Sequence, residues 1–190
     1  MFGLLPMHRT EGLRTINMVD GSVVQFPEVN GANLAWRRFW DSAVRASENL
    51  RERGSEDIVV VDELIGQLTQ KLAEEDELEA AAFLVGSEHE DPYVRAATAS
   101  KLHLLCFSEF EQGVSLALLL SEDADSMVQT RVVESMQSYL SLSDETVSSI
   151  ENDRRIRDIL SKTTTGLSYQ LKQSDLDRHP SAGEEPGGAA

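Results

Sequence analysis

The chain has 190 residues, 41% of them apolar, which suffices for one domain with a substantial core. Its 33 acidic and 17 basic residues give a net charge of −16, which disfavours nucleic acids and anionic membranes as partners because both need a basic surface. The single cysteine excludes an intramolecular disulfide, and no run approaches the ~20 apolar residues of a membrane span. We therefore expect a cytoplasmic protein without a membrane or nucleic-acid partner.

Residues 1–34 form a separate N-terminal arm. The runs 15–19 and 22–26 are rich in β-branched and apolar residues, and they flank Asp20-Gly21, a dipeptide that favours a tight turn. This pattern predicts a small β-hairpin. An irregular arm that lies over the first helix is the alternative.

The remaining chain is predicted to be helical up to about residue 172. Helix-spaced apolar residues predict helices over 35–53, 57–72, 76–86, 92–107, 109–120 and 126–140, with a weaker pattern continuing to residue 160. Ser108 and Glu111 predict a capping box at the start of the fifth helix. Residues 173–190 are rich in Pro, Gly, Ser and acids, and we expect them to form a disordered tail.

A spacing of 34 residues relates three of these helices. Four sets of residues recur at this interval, and within each copy they fall at positions i, i+4, i+8 and i+11, on one helix face. The sets are Val60, Val94 and Val128; Leu64, Thr98 and Val132; Leu68, Leu102 and Met136; and Lys71, Leu105 and Tyr139. Such a period is typical of stacked helical hairpins. We therefore expect an all-α fold, a short right-handed stack of antiparallel helix pairs.

The segment 91–97, Asp-Pro-Tyr-Val-Arg-Ala-Ala, resembles the start of the second helix of a HEAT repeat. The segment 125–129 keeps the acid and the valine of this motif but has Gln129 where the first copy has Arg95. Asp favours a helix start, Val packs inward, and Arg can reach neighbouring acids across the stack. The resemblance covers about residues 57–165, and it implies an α-solenoid whose curved surface holds another protein.

Tetratricopeptide repeats have the same period and are the rival family. Their pattern requires aromatic residues and glycine at fixed places in the first helix. The residues at those places are Ala97, Ser100, Lys101 and Leu104, which do not supply them. The sequence therefore favours a HEAT-like repeat and leaves the tetratricopeptide-like repeat as the alternative.

Carboxylates are concentrated between residues 55 and 92, where Lys71 is the only base. Ten of them form what we call the acidic edge, the predicted binding surface for a basic protein: Asp62, Glu63, Glu74, Glu75, Asp76, Glu77, Glu79, Glu88, Glu90 and Asp91. A solvated edge that only confers solubility is the alternative. No segment has the ligand spacing of a calcium loop, so we expect no metal.

An aromatic face on the first helix is the alternative partner surface. Trp36, Phe39 and Trp40 lie close together on this helix, and aromatic residues often anchor interfaces. The same residues could instead cover the apolar end of the first helix pair, since terminal repeats must shield an otherwise bare face. Arg37 and Arg38 would then point into solvent.

The sequence has no constellation that favours catalysis. His103 and Cys106 are three residues apart, but they belong to a helix that is otherwise used for packing. Glycine-rich phosphate loops and nucleophile elbows are missing from the sequence. We therefore expect no enzyme activity and no cofactor.

These features predict a non-catalytic interaction module, an adaptor or inhibitor that docks a basic protein. A toxin-neutralising immunity protein would fit the size and the acidity. One rival is an obligate structural subunit of a larger assembly. The other comes from the resemblance, because some short HEAT-like chains attach or remove bilin chromophores.

Overall fold

The computed structural model describes residues 12–17, 23–28, 30–74, 80–143 and 150–164, with side chains from residue 32 onward. The predicted Asp20-Gly21 turn and the predicted tail at 173–190 lie outside these ranges. From residue 30 onward the described structure is all-α, and its helices pack against one another.

The described elements run in the following order. They are β1 (Gly12–Asn17), β2 (Val23–Glu28), α1 (Asn30–Glu52), α2 (Asp57–Glu74), α3 (Ala80–Ser87), α4 (Pro92–Ser100), α5 (Leu102–Ser108), α6 (Phe110–Ser121), α7 (Ser126–Leu142) and α8 (150–164). The first helix begins five residues earlier than predicted, at Asn30. The two strands pair antiparallel, with Gly12 opposite Glu28 and Asn17 opposite Val23. Strand β2 contacts α3 and α6.

The residues that recur every 34 positions form the centre of the core. Eleven of the twelve are buried, and Lys71 is half-buried. Helix α4 packs between α2 and α7, so the helices that carry the first two positions of each copy lie side by side, and Leu102 and Leu105 of the middle copy lie on α5. Helix α3 contacts both α1 and α6 in the same way, which gives two packed layers of helices. The hydrophobic effect of burying these matched faces is the main stabilising contribution.

The turns before α4 and α7 are built alike. Asp91 accepts a hydrogen bond from the backbone N–H of Tyr93 at 2.9 Å, and Asp125 accepts one from Met127 at 2.8 Å. Each aspartate caps the first turn of its helix, where backbone N–H groups would otherwise lack partners. The acid at the start of each copy of the motif is therefore a helix cap.

Arg95 of the motif reaches an acid across the stack, as the sequence predicts. Its Nε and Nη2 atoms donate to the two carboxylate oxygens of Asp123 at 2.7 and 3.0 Å, and Nη1 donates to the carbonyls of His89 and Glu90. Gln129 occupies the equivalent position in the next copy, and its Nε2 donates to the carbonyl of Asp123 at 2.6 Å. The glutamine keeps the bond to the turn and gives up the ion pair.

The prediction of one continuous helix over 92–107 is wrong, because the helix is interrupted at Lys101 and the segment forms two helices, α4 and α5. The backbone N–H of His103 donates to the hydroxyl of Ser135 on α7 at 2.9 Å. Helix α6 also approaches α5 closely: a Cβ atom on Gly113 would lie 2.7 Å from the backbone nitrogen of Cys106. Contacts with α6 and α7 therefore accompany the break.

The predicted capping box at Ser108 and Glu111 is also wrong. Ser108 is the last residue of α5, and its hydroxyl donates back to the carbonyls of that helix. Glu109 occupies the N-cap position of α6 without a side-chain hydrogen bond. Glu111 instead accepts two hydrogen bonds from Arg155 at 2.6 and 2.9 Å, which tie α8 to α6.

Candidate functional site

The structure places the described members of the acidic edge in two groups. Asp62, Glu63 and Glu74 lie on α2 and are exposed. Glu88, Glu90 and Asp91 lie in the turn between α3 and α4, and we call residues 88–91 the acidic turn. The other four members, Glu75, Asp76, Glu77 and Glu79, lie outside the described residues.

The turn group borders an open pocket of about 310 Å³ between α1 and the α3–α4 turn. The pocket is lined by Arg37, Asp41, Val85, Glu88, His89 and Glu90. Three carboxylates and one guanidinium give it an excess of negative charge at neutral pH. The arrangement therefore suits a cationic side chain better than an anion.

His89 fixes the position of this turn against α1. Its side chain is only 12% exposed, and Nδ1 accepts a hydrogen bond from the backbone N–H of Asp91 at 3.1 Å. Because Nδ1 is an acceptor, the neutral ring carries its proton on Nε2, which lies 3.9 Å from a carboxylate oxygen of Asp41. The imidazole thus helps to order the acidic turn.

Asp91 is used mainly by the fold, although the sequence places it among the partner-binding residues. Its side chain is 11% exposed, caps α4 and lies 2.6 Å from Nη2 of Arg51. The Arg51 guanidinium also lies over the ring of Tyr93, 4.4 Å from its centroid. Tyr93 donates to Asp57 at 2.6 Å, and this hydrogen bond raises the pKa of the phenol. The network joins α1, α2 and α4 at the base of the acidic turn.

Members of the α2 group have partners on or near the same surface. Glu63 accepts a hydrogen bond from Gln67, and Glu74 accepts one from Gln70. Asp62 pairs instead with Arg131 of α7, with 3.4 Å between the nearest nitrogen and oxygen. The Asp62 side chain is nevertheless 64% exposed.

The aromatic residues of the alternative surface lie mostly in the core. Trp40 is fully buried and its indole N–H points at the carbonyl of Ala82, while Trp36 is 3% exposed. The half-buried ring of Phe39 packs edge-on against both indoles, with centroid distances of 5.4 and 5.0 Å. Neither tryptophan offers its ring to a partner in this structure.

Burial changes the pKa of both His103 and Cys106. Burial raises the pKa of the Cys106 thiol to about 12, so it is protonated at neutral pH and a poor nucleophile. Burial also lowers the pKa of His103, whose Nδ1 lies 3.2 Å from the Ser135 hydroxyl. Both residues serve the packing of α5 on its neighbours.

Sequence reasoning missed the basic residues that organise the acidic surface. Arg37 and His89 enter the pocket from different elements, and Arg51 and Arg131 pair with acids 40 and 69 positions away. The signal for Arg51 and Arg131 is weak, because each lies outside the recurring motif. Arg95, in contrast, belongs to a motif that predicts pairing with a neighbouring acid, although the motif does not say which one.

No helix in the described ranges is long and apolar enough to cross a membrane. Within the same ranges, no group of three or more His, Cys, Asp and Glu side chains could hold a metal ion. Comparisons of the chain with protein-family models, curated proteins and solved structures gave no match. The functional argument therefore rests on the geometry of this chain.

Proposed function

We propose that the protein is a non-catalytic interaction module, an adaptor or inhibitor that docks a basic protein through its acidic edge. The observation that carries this proposal is the pair of exposed carboxylates, Glu88 and Glu90, beside Asp41 at an open pocket. A lysine or arginine side chain of a partner would complement this charge. Neutralisation of a basic toxin is one role that fits such a surface.

A short HEAT-like α-solenoid is the scaffold that we propose for this surface. Its support is the matched burial of the 34-residue sets, the equivalent aspartate caps of α4 and α7, and the position of α4 between α2 and α7. In a solenoid each repeat contacts only its neighbours, so the turns line up along one edge. The acidic turn at 88–91 would then lie on that edge, where a partner can reach it.

Three side chains of the protein itself hold the acidic turn in place. Arg95 holds its carbonyls, His89 holds the N–H of Asp91, and Arg51 holds the Asp91 carboxylate. A preordered turn loses little conformational entropy when a partner binds, so more of the electrostatic attraction contributes to affinity. The net charge of −16 would also steer a basic partner towards the surface, an effect that salt weakens.

Affinity capture from the native host's lysate tests the proposal with three versions of the full chain. One is the unchanged protein, one carries Glu88→Lys and Glu90→Lys, and the control carries Glu48→Lys and Glu52→Lys on the exposed side of α1. Each double variant has two reversals of +2, so the net charge of both changes from −16 to −12. Circular dichroism and urea unfolding establish that all three fold alike.

We expect a basic protein to be captured at about 50 mM salt by the unchanged chain and by the control, and to be lost at about 0.5 M salt. The Glu88 and Glu90 variant should not capture it. Equal capture by both double variants would refute the assignment of the site to this turn. Failure of the unchanged chain to capture any basic protein would refute the docking proposal itself.

A role as an obligate structural subunit is the second candidate, and exposed apolar side chains favour it. The large apolar side chains of Phe107, Leu142 and Ile150 are 47%, 64% and 68% exposed, so each has apolar area that a partner could cover. Phe107 stacks on Tyr139 with 4.7 Å between ring centroids, so its exposed side is held in place. A partner that stays bound at high salt, and to all three versions of the chain, would favour this candidate.

A further inference from the structure

Arg131 makes a contact that crosses a whole helix. It lies on α7, yet its guanidinium reaches Asp62 on α2, although α4 packs between these two helices. The Arg131 side chain is 17% exposed, whereas that of Asp62 is 64% exposed. The protein therefore covers most of the Arg131 side chain, whereas the Asp62 side chain faces water.

The matching positions on α4, the helix between α2 and α7, carry alanines. The 34-residue spacing makes Ala96 equivalent to Asp62 and Ala97 equivalent to Arg131, so these alanines occupy the matching positions on the middle helix. Both alanines are fully buried, although Asp62 is exposed and Arg131 is partly exposed. We call the surface formed by Asp62, Ala96, Ala97 and Arg131 the three-helix face.

The guanidinium has a second partner on its own helix. Nη1 of Arg131 lies 2.9 Å from a carboxylate oxygen of Glu134, and Nη2 is the atom that lies 3.4 Å from Asp62. If the longer contact opens, the shorter one keeps Arg131 paired on α7. The side chain can thus release α2 without losing all of its charge compensation.

We propose that Arg131 is a latch that closes the three-helix face by joining α7 to α2 across the alanines of α4. When the latch is open, Asp62 is free to pair with a base from outside and the surface over α4 is uncovered. The effect of the latch on partner binding rests on the function proposed above. Its opening and closing do not, because both partners belong to this chain.

The latch is weak enough to open spontaneously. An ion pair with one well-exposed partner favours its closed state by no more than about fivefold, because water screens the charges. The open state is then populated by about a sixth of the molecules or more. Removal of the guanidinium should consequently raise the exposure of the face by at most about sixfold.

The substitution Ser100→Cys is the reporter of this opening in the full chain. Ser100 is half-buried on α4, three residues after Ala97, and it is the 34-residue equivalent of Glu134. Serine and cysteine are similar in size, and the natural Cys106 is buried and supplies the background rate when Ser100 is unchanged. The measured quantity is the rate at which a neutral maleimide modifies residue 100.

We expect Arg131→Gln to raise this rate by about two- to sixfold. The matched control is Arg154→Gln, which removes one charge from an exposed arginine of α8 and should leave the rate unchanged. About 1 M salt should raise the rate in the chain with the latch and have little effect in the Arg131 variant. Equal rates in the two arginine variants would overturn the proposal.

Hydrogen exchange keeps the test valid if the Ser100 variant does not fold. In the otherwise unchanged chain, Arg131→Gln should increase amide exchange in α4 relative to Arg154→Gln, and unaltered exchange would contradict the latch. The latch and the docking proposal also fail separately. A faster reporter in a protein that captures no basic partner would support the latch and refute the docking function.

Discussion

The replacement of Arg95 by methionine tests the energetic role of the recurring motif. Methionine retains an apolar stem of similar reach but removes the guanidinium, which makes two hydrogen bonds to Asp123 and two to turn carbonyls. Asp123 would keep only the hydrogen bond from the backbone N–H of Asp125 at 2.9 Å. The turn before α4 and the turn before α7 would lose their direct link.

The burial of this ion pair sets the expected cost. The Arg95 and Asp123 side chains are 19% and 10% exposed, so the variant leaves a carboxylate that water reaches poorly. Breaking a fully buried pair costs 3–5 kcal/mol, and the partial exposure reduces this to about 2–4 kcal/mol. The same substitution at Arg131 is the control, because its partner Asp62 is 64% exposed and that pair contributes less than about 1 kcal/mol.

Urea unfolding followed by far-ultraviolet circular dichroism measures both costs. With a slope of about 2 kcal/mol per molar urea, Arg95→Met should lower the midpoint by about 1–2 M and Arg131→Met by less than about 0.5 M. The slope itself should not change, since neither variant alters the surface exposed on unfolding. Midpoint shifts of equal size would refute the reasoning, because they would mean that burial does not decide the value of these pairs.

Three other predictions follow from local environments. Gly86→Ala should lower the free energy of unfolding by about 1–3 kcal/mol, because a Cβ atom there would collide with the Thr98 hydroxyl. Gly66→Ala should raise the free energy of unfolding by about 0.5–1 kcal/mol, because no atom lies within 4 Å of the added Cβ. Urea midpoints that move in the same direction for both variants would contradict this pair of predictions. Burial lowers the pKa of His103 below the ordinary value of 6.5, so the unfolded chain binds this proton more readily than the folded chain. The free energy of unfolding should therefore fall as the pH drops below about 6.5, and His103→Gln should reduce that fall in a pH series of urea midpoints. An unchanged pH profile in the variant would refute this prediction. Burial raises the pKa of the Cys106 thiol to about 12, so a thiol reagent at about pH 8 should modify it only after unfolding, and rapid reaction with the folded protein would show that the site is open.

The sequence predicts the helical core well because the core obeys a simple periodicity. The 34-residue sets select residues that the structure buries, and the aspartates at 91 and 125 are at helix starts, where their side chains find backbone N–H groups. These features depend on residues close together in the chain or on a regular repeat. Gln129 occupies the position in the second copy that Arg95 occupies in the first, and both side chains donate a hydrogen bond to a carbonyl of the preceding turn.

The features that sequence reasoning misses depend on contacts between distant elements. Nothing at Lys101 itself breaks a helix, but Ser135 of α7 takes the N–H of His103 and α6 comes very close at Gly113. The pocket and the contact between Arg131 and Asp62 likewise require the packed helices before their charges meet. Apart from the motif that carries Arg95, local patterns do not indicate which of the many surface charges become partners.

A hydrogen-exchange footprint of the full chain, alone and with its captured basic partner, tests the central proposal most directly. We expect slower exchange in the turn at 88–91 and at the adjoining part of α1 around Asp41, and this protection should disappear with Glu88→Lys and Glu90→Lys. Protection confined to the neighbourhoods of Phe107 and Leu142, unaffected by those reversals, would contradict docking at the acidic edge and favour the structural-subunit role instead.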